Sequence, residues 1–172
     1  MKKIVIAMSV LIGATVSAEQ KCFFDSITAT TPTAEFVDNL DGTVTDSTTG
    51  LMWQACSEGQ SFADGSCSGQ AQAHTWKSAL EVAQSSAFAG FSDWRLPNIK
   101  ELESIVEQAC VNPAVNSQVI RSAEARDYWS STPDVLNADQ VLALEYYFGE
   151  LRSVKKQPGD TEIFVRLVRD AN

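Results

Sequence analysis

The chain has 172 residues and carries 22 acidic against 13 basic side chains, which gives a formal net charge of −9 at pH 7. This length fits a single domain with one hydrophobic core. The acidity excludes a general attraction to nucleic acid or another polyanion, because long-range electrostatic steering would repel such a partner.

The N-terminus has the pattern of a signal peptide. Lys2 and Lys3 precede an apolar run over residues 4–16, and positions 16–18 fit a signal-peptidase site. A membrane anchor is the alternative, but the run is shorter than the ~20 residues that span a bilayer, and no later segment is long and apolar enough. We therefore predict a signal peptide over residues 1–18, cleavage after Ala18, and export to the periplasm or the outside of the cell. Cleavage leaves 11 basic and 22 acidic residues, a charge of −11.

All four cysteines lie beyond this segment, at Cys22, Cys56, Cys67 and Cys110. An even number in an exported protein indicates disulfides, with three possible connectivities. Cys56 and Cys67 bracket a loop rich in Gly, Ser and Asp that suits a local disulfide, and this leaves Cys22 to pair with Cys110. Zinc is the alternative, but it would need CxxC-type spacing and more histidine than the single His74.

The first half of the remaining chain is predicted to be an arm followed by hairpins. Residues 19–35 contain few apolar side chains and are predicted to form an extended N-terminal arm, with the domain covering residues 36–172. Between residues 36 and 53, short β-forming segments alternate with clusters of Asp, Asn and Gly, a pattern typical of hairpins.

The middle of the chain is predicted to hold two helices. Thr75 can cap a helix over residues 75–86, and Gly90 lies past its end. Asn98 and Glu101 fit a capping box at the start of a second helix over residues 99–108. Its buried stripe is predicted to consist of Ile99, Leu102, Ile105 and Val106.

The last third returns to β-structure. Strands are predicted at residues 128–130, 141–148, 151–154 and 163–168, with Gly149 and Glu150 as a tight turn. In the last strand, Ile163, Val165 and Leu167 should share one face. Strands, two helices and strands again predict an α+β domain with an antiparallel sheet.

Six motifs follow one another over nearly the whole exported chain. They are DNLDGTVTD at 38–46 with TGLMW at 49–53, TWKSAL at 75–80, GFSDWRLPN at 90–98, KEL at 100–102, YWSS at 128–131, and VRLVR at 165–169. In this order and spacing they resemble the Lcl C-terminal domain family. The resemblance extends from about residue 36 to residue 169.

The resemblance implies a C-type-lectin-like fold, in which two helices pack on a small twisted antiparallel sheet. Formylglycine-generating enzymes and variable receptor-binding proteins of phages share this fold more distantly. The family's best-known member is the tip of a collagen-like bacterial adhesin and resembles a binder of sulfated glycosaminoglycans. The present chain differs from it, because it has no collagen-like stalk and is strongly acidic.

Several aromatic and acidic residues could form binding sites, but structural roles fit them better. Trp53, Trp76, Trp94 and Trp129 could stack on sugars, yet each lies in a motif that organises a strand or a helix start, and core packing is expected. Arg95 is expected to be a structural hydrogen-bond centre. The run 38–46 places Leu40 and Gly42 where a calcium loop needs oxygen ligands, so a turn is predicted.

No convincing active site is present in the sequence. The sugar site of calcium-dependent C-type lectins resembles a Glu-Pro-Asn or Gln-Pro-Asp loop combined with a Trp-Asn-Asp strand. The present sequence contains only fragments of this pattern, at 133–134 and 157–160. Residues 65–69 fit a Gly-x-nucleophile-x-Gly pattern around Cys67, but the preceding segment is a polar loop rather than a buried strand. The cysteine pair of formylglycine-generating enzymes has no counterpart, since no cysteine follows Cys110.

We therefore expect a non-enzymatic binding or adhesion module without a cofactor or metal, which recognises a glycan or protein ligand. Loops of the C-terminal half, over residues 112–137 and around Gly149, should form the binding surface. The alternatives are a structural subunit of a cell-surface assembly and, less favoured, an enzyme with an unrecognised site. Basic residues collect near the C-terminus at Arg152, Lys155, Lys156, Arg166 and Arg169, among acidic neighbours. From this region the candidate ligand-binding residues are Arg152, Lys155, Lys156 and Asp134.

Overall fold

The computed structural model describes residues 19–171, so the predicted signal peptide lies outside the described residues. It has two α-helices, α1 (Trp76–Ser85) and α2 (Ile99–Ser104). The strands, in chain order, are β1 (Lys21–Cys22), β2 (Phe36–Asp38), β3 (Thr43–Asp46), β4 (Leu51–Gln54), β5 (Ser61–Ala63), β6 (Ser66–Ser68), β7 (Cys110–Val111), β8 (Asp127–Pro133), β9 (Gln140–Glu145), β10 (Glu150–Lys155), β11 (Ile163–Phe164) and β12 (Val168–Asp170).

The strands form two four-stranded sheets and two short pairs. The first sheet has the order β12-β4-β3-β2 and is antiparallel throughout. The second has the order β10-β9-β8-β11, in which β11 runs parallel to β8. The short pairs are β1 with β7 and β5 with β6. The predicted α+β class is confirmed, but the single antiparallel sheet is replaced by two sheets, one of them mixed.

The predicted strand over residues 163–168 is wrong as one element. The chain crosses here from the second sheet to the first, so that Ile163–Phe164 forms β11 and Val168–Asp170 forms β12. The alternation of the sequence nevertheless holds, because Ile163, Val165 and Leu167 share one hydrophobic cluster. The segment is buried on both sides, and this explains its continuous apolar character.

Both helices begin where their capping residues predict. The Thr75 hydroxyl accepts a hydrogen bond from the Ser78 N–H, and Asn98 forms the complete capping box with Glu101. The second helix ends at Ser104 rather than at residue 108, because the next turn is used to bring Glu107 to the N-terminal arm. The predicted stripe is buried nonetheless, at Ile99, Leu102, Ile105 and Val106.

The second sheet lies between two hydrophobic clusters. Successive side chains of a strand point to opposite faces, so β8 places Tyr128 in the cluster shared with α2 and the first sheet, and Trp129 in the cluster shared with α1. Trp53, Trp94 and Trp129 are buried, which confirms their predicted place in the core. Trp76 is half-buried and donates a hydrogen bond from Nε1 to the Ser130 carbonyl at 2.9 Å.

Both disulfides have the predicted pairing, Cys22 with Cys110 and Cys56 with Cys67. The first joins β1 to β7 and so fixes the N-terminal arm to the domain. The second closes the β5–β6 hairpin. Disulfides of this kind are typical of proteins that fold in an oxidising compartment.

Glu107 holds the arm from the domain side. This buried carboxylate accepts hydrogen bonds from the backbone N–H groups of Thr30 at 3.0 Å, Thr31 at 2.9 Å and Ala109 at 2.9 Å, as well as from both threonine hydroxyls. The arm is therefore not simply extended, since it turns around this carboxylate before β2. Burial opposes ionisation, but these hydrogen bonds outweigh it and lower the pKa of Glu107.

We predict that Glu107→Gln lowers the free energy of unfolding by about 2 kcal/mol at pH 7, because a buried charge-assisted network loses acceptors. The folded pKa is depressed, so the carboxylate's contribution is present above the unfolded pKa of about 4.3 and is lost as the pH falls through the folded value. Urea unfolding of both proteins between neutral and acidic pH measures this. A difference that grows as the pH falls would contradict the role of the ionised carboxylate.

Candidate functional site

One face of the second sheet changes from apolar to charged along its length. Trp129 of β8 is paired with Ala143 of β9 beneath α1, and two residues further along, Asp127 is paired with Glu145. Arg152 of β10 lies on the same face, since its partner is Ala143. The charged end of this face therefore lies beyond the part of the sheet that packs in the cluster shared with α1.

A cleft of about 600 Å³ lies over this charged end. Its walls come from the entry to β8 at 125–127, from the loop at 160–162, and from Glu145, Tyr147 and Arg152. The volume is typical of a ligand site, but the lining is polar and charged rather than apolar. A polar ligand, or the polar side chains of a larger partner, would fit such a lining.

Two shielded carboxylates form the floor of the cleft. The side chain of Asp127 is 12% exposed and that of Glu145 is 8% exposed. Arg152 lies close to both, with Nε 4.0 Å from Asp127 Oδ1 and Nη2 3.9 Å from Glu145 Oε2. Both separations exceed a hydrogen bond. The Phe148 N–H donates to Glu145 Oε2 at 3.1 Å, whereas Asp127 Oδ1 is buried and accepts no hydrogen bond from any residue in 19–171.

The environment of Asp127 disfavours its charge. Burial raises the pKa of Asp127 above its usual value, and the nearby Glu145 adds to the effect. Arg152 and Arg126 act in the opposite direction and offset only part of it. A carboxyl group whose charge is under-compensated favours the arrival of a hydrogen-bond donor or a cation.

Arg152 is the one predicted ligand-binding residue that the structure places in the cleft. Asp134 follows the last residue of β8, at the opposite end of this strand from the cleft, and accepts hydrogen bonds from Ser153, Asn137 and Leu136. The bond from Ser153, followed by that from Asn137, lowers the pKa of Asp134 to about 2. Asp134 thus stabilises the β8–β9 loop away from the cleft, and its role as a ligand-binding residue stays a prediction.

The two lysines are also outside the cleft. Lys156 donates from Nζ to the Ala138 carbonyl at 2.7 Å, and Nζ lies 4.9 Å from the centre of the Trp76 ring. It therefore joins the segment after β10 to the β8–β9 loop and to the start of α1. Lys155 borders a separate shallow groove beside Pro158. Arg152, Lys155, Lys156 and Asp134 therefore do not form one site.

The remaining members of the basic cluster are buried. Arg166 is fully buried, and the Arg169 guanidinium forms two hydrogen bonds with Asp93, at 2.7 Å and 3.0 Å, while lying 4.1 Å from the Phe91 ring centre. Arg95, predicted to be a structural centre, forms paired hydrogen bonds with Glu101 at 2.7 Å and 2.8 Å, which confirms that role. The basic residues of the C-terminal region thus do not form a continuous surface.

The acidic run at 38–46 forms turns. Asp38, Asp41 and Asp46 each accept a hydrogen bond from a backbone N–H two residues later, as the turn prediction requires. Cys67 is part of a disulfide and is therefore not a nucleophile. Within residues 19–171, His, Cys, Asp and Glu form no group of three or more that could hold a metal ion.

The predicted binding segments include loops of the cleft, but Asp127 and Glu145 were not among the predicted site residues. The predicted binding segments, 112–137 and the hairpin around Gly149, contain most of the cleft lining. Asp127 and Glu145 lie 18 residues apart and meet only through the antiparallel register. The available signal was Glu145 at the end of the otherwise apolar segment 141–145, because an acidic side chain is rarely buried unless it has a partner.

No helix among residues 19–171 has the length and apolar character needed to cross a membrane. No curated protein matches the chain significantly. The family model described as Lcl C-terminal domain matches residues 42–169, which is more than half of the chain. The chain therefore belongs to the Lcl C-terminal domain family.

Proposed function

We propose that the chain is an exported, non-enzymatic binding module whose ligand, a glycan or a protein, enters the cleft between β8, β9, β10 and the loop at 160–162. The observation that carries this proposal is the shielded pair Asp127 and Glu145 at the floor of a cleft of ligand size. A buried carboxylate that lacks hydrogen-bond donors destabilises the unliganded protein. A ligand that supplies the missing donors removes this penalty and so gains binding energy.

The proposal includes a C-type-lectin-like fold and a location in the periplasm or outside the cell. Family membership, two helices on mixed and antiparallel sheets, and a cleft built from loops of the C-terminal half support the fold. The two disulfides and the signal-like residues 1–18 support export. The acidic composition makes sulfated glycosaminoglycans poor ligands by comparison with neutral or basic ones.

Tyr147 is the aromatic residue of the cleft. The residue lines the cleft and is 39% exposed, and its ring contacts Phe148 edge-on with ring centres 4.5 Å apart. Exposed tyrosines contribute strongly to recognition because they bury a large rigid area at low entropic cost. Substitution of Tyr147 is therefore the best single change for weakening ligand binding without disturbing the hydrophobic core.

An array of glycans and of extracellular proteins, probed with the exported chain, tests the proposal. Tyr147→Ala should weaken binding of any ligand found by about tenfold, equivalent to ~1.4 kcal/mol. Lys155→Ala is the matched control, because Lys155 lies on the same hairpin but outside the cleft, and it should bind like the wild type. Equal binding by Tyr147→Ala and wild type would place the ligand elsewhere.

A hydrolase is the second candidate, and the raised pKa of Asp127 beside a second carboxylate is the observation that favours it. A carboxyl group of this kind can serve as a general acid, and two carboxylates flank the scissile bond in most glycosidases. Release of reducing ends from the glycans that bind, abolished by Asp127→Asn, would support this candidate. Binding without turnover would support the binding module.

A further inference from the structure

We infer that the ligand group bound by this cleft is a cation, the guanidinium or ammonium of an arginine or lysine side chain on a protein partner, and that Arg152 occupies its place until the partner displaces it. This inference rests on the proposed function, since it names the chemistry of the same cleft. It assigns Arg152 the opposite role from a ligand-binding residue. Arg152 competes with the ligand.

The charge balance of the cleft favours a cation. Four carboxylates, those of Asp127, Glu145, Asp160 and Glu162, line it together with two guanidinium groups, those of Arg126 and Arg152. The two carboxylates at the floor are also the most shielded from solvent, so the attraction that they exert on a cation is weakly screened. An anionic ligand would have to approach these same two carboxylates.

Arg152 fills the position incompletely. Its side chain is 48% exposed, and its nitrogens stop 3.9–4.0 Å from the two carboxylates. Charge-assisted hydrogen bonds are normally about 2.7–2.9 Å long. Asp127 Oδ1 therefore accepts no hydrogen bond from the described part of the chain, residues 19–171, although it is buried. A long, half-exposed side chain that makes no close contact costs little to move aside.

Tyr147 supplies an independent reason for a cation. Tyr147 lines the cleft and is partly exposed, and the face of a tyrosine ring attracts ammonium and guanidinium groups when they are desolvated. Carboxylates on the floor and an aromatic ring in the lining thus provide an ion pair and a cation–π contact for one group. The register pairing of Asp127 with Glu145 places two carboxylates side by side, which suits the planar fork of an arginine.

The experiment uses three blocked tripeptides that differ only in the central residue: arginine, the uncharged isostere citrulline, or aspartate. Amide chemical shifts of the isotope-labelled exported chain are followed up to about 10 mM peptide, since an isolated side chain is expected to bind with a dissociation constant of ~1 mM. We expect the arginine peptide to shift the amides of residues 125–127 and 145–149 saturably. The citrulline and aspartate peptides should shift them several-fold less.

Single-residue variants show whether Arg152 competes with the arginine peptide or helps to bind it. Arg152→Ala should bind the arginine peptide about three- to tenfold more tightly, because the competing cation is gone, while Asp127→Asn and Glu145→Gln should each weaken it. Lys155→Ala should change nothing. Weaker binding by Arg152→Ala, preference for the aspartate peptide, or the absence of a saturable shift would overturn the inference. If none of the three peptides shifts these amides but a glycan from the array does, the inferred cationic ligand is wrong and the proposed binding cleft stands. If no ligand shifts these amides, the proposed function fails as well.

Discussion

Replacing Arg166 by alanine is expected to lower the free energy of unfolding by about 3–5 kcal/mol. Among residues 19–171, this fully buried guanidinium has no carboxylate partner, and it is held by oxygens of segments that meet in the core. Nη1 donates to the carbonyls of Gln54 at 2.8 Å and Ala55 at 2.6 Å, and Nη2 donates to the Ser57 hydroxyl at 3.1 Å and the Arg121 carbonyl at 3.2 Å. Truncation leaves these buried acceptors without donors and opens a cavity.

Urea denaturation of the oxidised protein measures this loss. Arg166→Lys should lose an intermediate amount, because the ammonium keeps the charge but lacks the fork that reaches both loops. Arg152→Ala is the matched control, since Arg152 is half-exposed and makes no close ion pair, and it should cost less than about 1 kcal/mol. A loss below 1 kcal/mol for Arg166→Ala would show that the buried guanidinium does not organise these loops.

Removing the Cys22–Cys110 disulfide is expected to cost about 4–5 kcal/mol, and removing Cys56–Cys67 about 3 kcal/mol. The two bonds close loops of very different size, with sequence separations of 88 and 11 residues. The longer loop restricts the unfolded chain more, and the expected difference is about 2 kcal/mol by chain entropy. The arm should also lose its attachment to β7 when the first disulfide is removed.

The two double alanine variants serve as controls for each other, because each removes one disulfide and leaves the other intact. Thermal and urea unfolding under non-reducing conditions give the two free energies. Limited proteolysis should cut the N-terminal arm, residues 19–35, only in the variant without the first disulfide. A greater loss from the Cys56–Cys67 variant would contradict the entropic argument.

Local signals predicted the helices of this fold well. Thr75 and the pair Asn98 and Glu101 marked the helix starts, because capping depends on residues three positions apart. The predicted end of the second helix was wrong, because the actual end depends on the long-range hydrogen bonds of Glu107 with the N-terminal arm. The parallel pairing of β11 with β8 was missed for the same reason, as it joins segments about 36 residues apart.

The charged residues show a similar limit. Arg166 is one of the basic residues that collect near the C-terminus, and nothing in its neighbours along the chain revealed that it would contact carbonyl groups more than a hundred residues away. Arg152 was predicted as a site residue because it lies on an exposed hairpin. Its acidic neighbours, Asp127 and Glu145, were not predicted as site residues, because their approach to Arg152 depends on the register of β8, β9 and β10.

The most direct test of ligand binding in the cleft is the footprint on the protein of whichever ligand the array identifies. Amide chemical shifts of the isotope-labelled protein, recorded during titration with that ligand, report which residues it contacts. We expect the largest changes at residues 125–127, 145–149 and 160–162, and we expect Tyr147→Ala to reduce them. Changes confined to the Asp134 loop or to residues 90–98, with the cleft amides unmoved, would contradict ligand binding in the cleft.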